Sequence, residues 1–291
     1  MSSKEGKIGD WELKRPVFLL ICCTKIPLLY IINAIMWNPA ARISKTFYNL
    51  GFFARTLKGV GYFVSHSQAS FKILVMQILF TFVHAMGIST LLAVAIGAAV
   101  NIIGVPMLTM LNQQQLIYTL LIMFITRELG PLLTAFIVIA RSATAIATEI
   151  AGMVISHEVE AYISIGVDPI EHIAVPRFLG VTFSLVLLNI YFSIFGLAGS
   201  FLVAQLFNST PIDYYFSNLL QYLSVKDIFL SIVKSIAFGA IISVGAVIEG
   251  FSVERASTEV PVAGLRAVSS AFALCIVIDV LLSALYYFVL A

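Results

Sequence analysis

Apolar positions along this chain come in long, nearly unbroken runs rather than at the spacing of a half-buried helix or strand. The runs are Ile73 to Val100, Gln115 to Thr126, Leu129 to Ala140, Ala174 to Phe207, Ile228 to Ile248 and Val262 to Ala291. Several exceed the roughly 20 residues that cross a bilayer as a helix. The pattern predicts five spans: about Lys72 to Val100, near Gln114 to beyond Arg141, Ala174 to Phe207, Ile228 to Ile248 and Val262 to Ala291. Between the first two, "NIIGVPMLTMLNQQQ" carries Gly, Pro and a polar cluster but no Lys or Arg, which predicts an outer turn or a short re-entrant piece. The second helix is longer than a bilayer is thick, so its end is expected to project into the cytoplasm. "NSTPIDYYFSNLLQYLSVKD" reads as a polar outer loop. The fold class is an all-α polytopic membrane protein with about five transmembrane helices.

Composition agrees. The chain is 60% hydrophobic and 11% charged, with a mean hydropathy of +1.01, whereas soluble domains carry about 25% charged residues. Charge is distributed unevenly. Residues 1–72 hold ten Lys/Arg against three Asp/Glu (+7), and residues 73–291 hold seven against twelve (−5), which sum to the net +2. Positive residues collect on the cytoplasmic side, so the N-terminus is expected inside and, after five spans, the C-terminus outside. Fourteen Lys/Arg then fall inside, one (Lys226) outside, and Arg127 and Lys234 within the membrane.

The run Pro16 to Trp37 lacks a signal-peptide cleavage site and is broken by Lys25 and Pro27. It reads as a helix lying in the membrane surface, with Lys14, Arg15, Lys25, Arg42 and Lys45 toward anionic head groups; a full span is the alternative. Residues 1–70 thus form a basic interfacial region ahead of a transmembrane domain at 71–291. Cys22, Cys23 and Cys275 have no metal or redox spacing and read as apolar filler.

"GMVISHEVEAYISIGVDPIEHIAVPR" (residues 152–177) changes character. "SHEVEAYISI" suits a short amphipathic helix with Val159, Ile163 and Ile165 among the acids Glu158 and Glu160, and Gly166 is a natural stop. Asp168 as N-cap, Pro169 at the first turn and Glu171 three residues on restart a helix. A loop so fully specified, on the expected inside, points to a docking element.

"RELGPLLTAFIVIARSATAIATE" (residues 127–149) spends charges in one of the most apolar regions. Starting near Gln114, Arg127 lies about 20 Å along the helix. Charges at that depth are expensive and face a cavity, a partner or a pathway. Arg127 and Glu128 point about 100° apart on an α-helix, which argues against simple mutual neutralisation. Arg127, Glu128, Leu129, Gly130 and Pro131 are therefore candidate substrate-cavity residues, Gly130-Pro131 loosening the helix. Arg141 reaches the inner interface, and Glu149 belongs to the cytoplasmic extension. Ala143, Ala147 and Ala151 form one small-residue ladder; Ala140, Thr144, Thr148 and Gly152 form another. Such ladders let helix backbones approach, either within the chain or across a dimer. Lys234 and Asp279, counted from their span ends, come to about the same depth, roughly 8 to 9 Å below the outer boundary, and can pair. Alternatively, Lys234 snorkels outward and Asp279 bonds to Ser235 or Ser283.

Enzymatic chemistry finds no support. "HEVEA" misses the second histidine of a zinc motif, the four histidines lack ligand spacing, and no nucleophile elbow or phosphate-binding nucleotide loop occurs.

"RELGPLLTAFIVIARSATAIATEIAG", "GVDPIEHIAVPRFLG", "VKSIAFGAIISVGAVIEGF" and "GLRAVSS…IVIDVLLSALYY" together resemble the MlaE/YrbE permeases, membrane subunits of ABC-type lipid transporters that work with MCE-domain proteins. The resemblance runs from about Ser70 to the C-terminus. It departs around the second arginine, where Ala140 and Ser142-Ala143 replace the family's usual Gly and Gly-Ser. It implies a homodimeric inner-membrane permease with an amphipathic N-terminal helix, two cytoplasmic ATPase subunits using ATP and magnesium, an outer MCE partner and a phospholipid or similar substrate. It implies no cofactor or metal on this chain and no nucleic-acid partner. An ion-coupled secondary transporter would also bury charges, but no repeated pair of broken spans is present.

Overall fold

The computed structural model describes residues 51–60, 68–208, 211–253 and 256–290, and among these residues every regular element is helical. They are α1 (residues 51–60), α2 (Gln68–Met110), α3 (Leu116–Ile155), α4 (Glu158–Ser164), α5 (Ile170–Phe207), α6 (Ile212–Tyr222), α7 (Val225–Phe251) and α8 (Val260–Leu290). Five of them, α2, α3, α5, α7 and α8, are long and apolar enough to cross a bilayer. The protein is a multi-pass membrane protein. The surface-helix reading of Pro16 to Trp37, and Cys22 and Cys23 with it, lie outside the described residues.

The segment from Asn101 to Gln115 corrects the sequence reading. It is neither a turn nor a re-entrant piece as far as Met110, because α2 continues through it with Pro106 inside the helix. At 43 residues α2 extends about 64 Å. The polar Asn101 that suggested a turn is buried, and its Nδ2 donates to the Ser200 carbonyl of α5 at 2.7 Å. An amide N–H paired across a helix interface costs little to bury. The turn itself shrinks to the residues just beyond Met110, with Asn112 at φ 52°.

The expected polar loop after α5 also contains a helix. In α6, Tyr215 and Leu219 sit one turn apart and are buried. The Tyr215 hydroxyl pairs with Ser200 of α5, and burial pushes its pKa up to about 12.

Small residues set the helix spacing. A Cβ on Gly97 of α2 would fall on the Gly196 carbonyl oxygen of α5, so these backbones touch directly. One on Gly250 of α7 would lie 2.8 Å from Ile150 Cβ and 3.0 Å from the Ala147 oxygen of α3. Gly264 of α8 packs similarly on Thr144 and Thr148, at 3.1 Å from each Cγ2. Ala143, Ala147 and Ala151 are fully buried. The alanine ladder of α3, and Thr144 and Thr148 of the other, therefore pack against α7 and α8 of the same chain, whereas Ala140 is exposed and Gly152 meets nothing within 4 Å.

Candidate functional site

Helix α3 is not uniform. Residues Ile122–Leu129 and Ile139–Ala143 form wider π-helical turns, and the first ends at Gly130-Pro131. Pro131 has no N–H to give back to the preceding turn, and π-turns of this kind recur at functional sites. Gly130 is required where it is: an added Cβ would come to 2.5 Å from the Ile125 oxygen and 2.9 Å from Asn189 Oδ1 of α5. Gly130 and Pro131 are buried in packing, and Leu129 is half-buried.

Arg127 and Glu128, on the last turn of that π-segment, meet charged groups from α7 and α8. Lys234 Nζ, wholly buried, donates to Glu128 Oε2 at 2.6 Å and to Ser283 Oγ at 2.8 Å, and lies 2.9 Å from Asp279 Oδ1. Ser283 in turn donates to the same Glu128 oxygen at 3.0 Å. Lys234 does not snorkel outward; it is the hub of the cluster, shared by two carboxylates. Arg127 stands beside it, Nε 3.7 Å from Glu128 Oε1 and Nη1 3.7 Å from Asp227 Oδ1. Its guanidinium lies over Tyr286 and Tyr287, 4.1 and 4.6 Å from the ring centroids. Delocalised guanidinium charge suits such stacking. Two cations thus face three carboxylates. Arg127 Nε and Nη2 are enclosed without a hydrogen-bond partner, and so is Glu128 Oε1.

Several partners here were not anticipated. Asp227, which the sequence pattern places in the outer loop, starts α7 two helical turns before Lys234, on the same face. Asp279, Ser283 and Tyr286 follow at i, i+4 and i+7 on α8, the spacing of one helix face. The sequence turns Glu128 toward a cavity; its tie to Lys234 comes only from the fold.

At the opposite end of the bundle, α4 packs one face on the core and leaves the other uncovered. It buries no residue completely; Ile163 and Ile165 are exposed at 61% and 73%, while Val159 and Tyr162 lean on the core. Its C-terminus is a Schellman stop: Val167 N–H bonds the Tyr162 carbonyl at 3.0 Å and Gly166 N–H the Ile163 carbonyl at 3.0 Å, with Gly166 at φ 79°. Asp168 then accepts from the Ile170 N–H at 2.9 Å, capping α5, with Pro169 between them. Its other oxygen receives Arg55 of α1 at 2.7 Å. His157, at φ 60°, is 3.0 Å from Glu160, and the Ser156 hydroxyl donates to Glu158 at 3.1 Å. Glu149 pairs with Arg177 of α5 at 2.7 Å, and Arg141 donates to the His84 carbonyl of α2.

A sequence profile described as "Permease MlaE" matches residues 74–285, which takes in the charge cluster, α4 and most of all five spans. The chain belongs to the MlaE permease family. A probable ABC transporter permease protein of Rickettsia prowazekii is 28% identical over 219 residues, 74% of this chain and 83% of that one. The intermembrane phospholipid transport system permease protein MlaE of Haemophilus influenzae is 25% identical over 210 residues, 70% and 80% of the two chains. The chloroplastic protein TRIGALACTOSYLDIACYLGLYCEROL 1 of Arabidopsis thaliana is 29% identical over 160 residues, 55% of this chain and 46% of that one. Both ends of this MlaE-family permease, the charged and the amphipathic, therefore belong to a transporter subunit. Among the described residues no group of His, Cys, Asp or Glu could hold a metal ion.

Proposed function

We propose that this chain is the membrane permease of an ABC-type transporter that passes phospholipid, or a similar lipid, between the inner membrane and an MCE-domain partner, powered by a separate cytoplasmic ATPase. The observation that carries the reading is α4. The apolar Ile163, and Ile165 just beyond its end, are exposed, its C-terminus is closed by the Gly166 turn, and Asp168 caps the helix that follows. A rigid helix with unspent apolar surface, joined to α3 and α5, is what a chain without its own nucleotide loop needs to receive force from an ATPase. Glu158, Glu160, Ile163, Gly166, Asp168 and Pro169 make up this coupling element, on the cytoplasmic side with the N-terminus.

The charge cluster supports the lipid part of the reading. Arg127 Nε and Nη2 have no hydrogen-bond partner among the described residues, and phosphate oxygens suit a guanidinium fork once the site opens to admit them. The relative from Haemophilus influenzae is named for phospholipid transport. Homodimerisation, with the C-terminus outside, completes the assembly.

The test is reconstitution. Full-length permease and its cognate ATPase in vesicles holding a fluorescent phospholipid should transfer it to an acceptor only with ATP and magnesium. Transfer that follows an ion gradient and ignores ATP would replace this reading with ion-coupled secondary transport.

A further inference from the structure

At the end of the bundle opposite α4, the chain encloses a cavity of about 530 Å³ between the end of α2, the start of α3, α5 and α6. A second hollow of about 440 Å³ adjoins it, sharing Gln114 and Gln115. The first has the volume of a small-molecule site. The lining of both is polar but contains no charged residue; amides and phenols supply the polarity.

Two of these groups are held ready. Tyr118 is buried to 6% exposure and lines the hollow, and its hydroxyl, which is not enclosed, bonds none of the described residues. Asn101, at 3% exposure, donates its amide N–H to the Ser200 carbonyl, which leaves its own oxygen as an unused acceptor. Neither atom is among the enclosed polar atoms that lack a partner, so both open onto the hollow, where they offer an occupant one hydroxyl that donates and accepts and one carbonyl that accepts. The ring of Tyr118 stacks against Tyr222, centroids 6.2 Å apart and planes 6° from parallel, and meets Tyr215 edge-on. The Tyr222 hydroxyl donates to Gln115 Oε1. Rigid aromatic walls therefore carry amide donors and acceptors at their rim.

We infer that this cavity binds an uncharged, hydroxyl-rich group of glycosyl type. Each hydroxyl both donates and accepts, as the carboxamides and phenols do, and the apolar faces of a sugar ring lie against tyrosine. An anionic head group would enter with no cation to meet it and would lose its hydration without return. The site is separate from the charge cluster, and the inference does not rest on the transport reading, because binding needs neither ATPase nor turnover.

Native mass spectrometry of the full-length permease in detergent tests it. The probes are monoglucosyl diacylglycerol, diacylglycerol with the same acyl chains, and phosphatidic acid, supplied in equal amounts. The glucosyl lipid should be retained several-fold over the other two. Tyr118→Phe removes only one hydroxyl, and Gln114→Ala only an exposed amide; each should reduce that preference by roughly three- to tenfold, the span of one or two lost hydrogen bonds. Displacement by millimolar methyl β-glucoside would identify a free sugar as ligand, and resistance to it a lipid-borne one; both support the site. Equal retention of the three lipids, preference for phosphatidic acid, or a preference unchanged in both variants would overturn it.

Discussion

Lys234 Nζ lies 2.6 Å from Glu128 Oε2 and 2.9 Å from Asp279 Oδ1, so one buried cation joins α3, α7 and α8. Removing it leaves two carboxylates enclosed, and breaking a buried ion pair costs about 3–5 kcal/mol. Lys234→Met should therefore lower the melting temperature and monodisperse yield in detergent sharply. Lys234→Met with Asp279→Leu should recover only in part, since Glu128 remains charged. Adding Glu128→Gln should recover most of the loss. A triple variant as poor as Lys234→Met alone would refute the account.

Arg127 stacks on Tyr286 and Tyr287 while both its ion pairs are long, at 3.7 Å. Arg127→Lys preserves charge but not the planar face, and a cation–π contact in a desolvated site contributes about 2 kcal/mol. This variant should lose lipid transfer in reconstituted vesicles while still associating with the ATPase. Normal transfer would show that any cation suffices there.

The α4 surface separates coupling from folding. Ile163→Asp, or Glu158→Lys with Glu160→Lys, changes side chains that the chain itself does not bury. Co-purification of the ATPase should fall steeply with the melting temperature unchanged. Retained association in both variants would remove α4 from the interface.

Asp168 has two roles that substitution can divide. Asp168→Asn keeps a capping oxygen for the Ile170 N–H and loses the ion pair with the exposed Arg55, a contact worth less than about 1 kcal/mol. Asp168→Ala loses the cap too, at about 1 kcal/mol more. The order of melting temperatures should be wild type, Asn, Ala; equal loss in both would mean that the ion pair dominates.

Gly97 tests the α2–α5 contact. Gly97→Ala places a methyl on the Gly196 carbonyl and should cost about 1–3 kcal/mol, the range for overpacking. Gly245→Ala meets nothing within 4 Å and should be neutral or slightly stabilising. Thermal melts of the pair check both.

The span count and the design of α4 were legible because each rests on local rules. Membrane crossing needs only length and apolar composition; Gly166 and Asp168 write their turn and cap within a few residues. In the segment 101–110 a Pro and an Asn look like a break until the partner helix is known. Asn101 finds its acceptor in Ser200, 99 residues away. The helix α6 is hidden in the sequence for another reason. Its apolar positions Ile212, Tyr215, Phe216 and Leu219 carry helical spacing, but polar residues between them outweighed it.

The sequence by itself determined that this is a five-span helical membrane protein with charges at a costly depth, since bilayer thickness and the price of burying charge act on any helix alike. Depth counting could bring Lys234 and Asp279 to one level. Only the tertiary structure decided that Glu128 shares that lysine, that Asp227 and two tyrosines hold Arg127, and that the alanine ladder of α3 is filled by its own chain. These outcomes depend on how far each helix is rotated about its axis, and rotation is fixed by packing between elements distant in sequence, which no local pattern encodes.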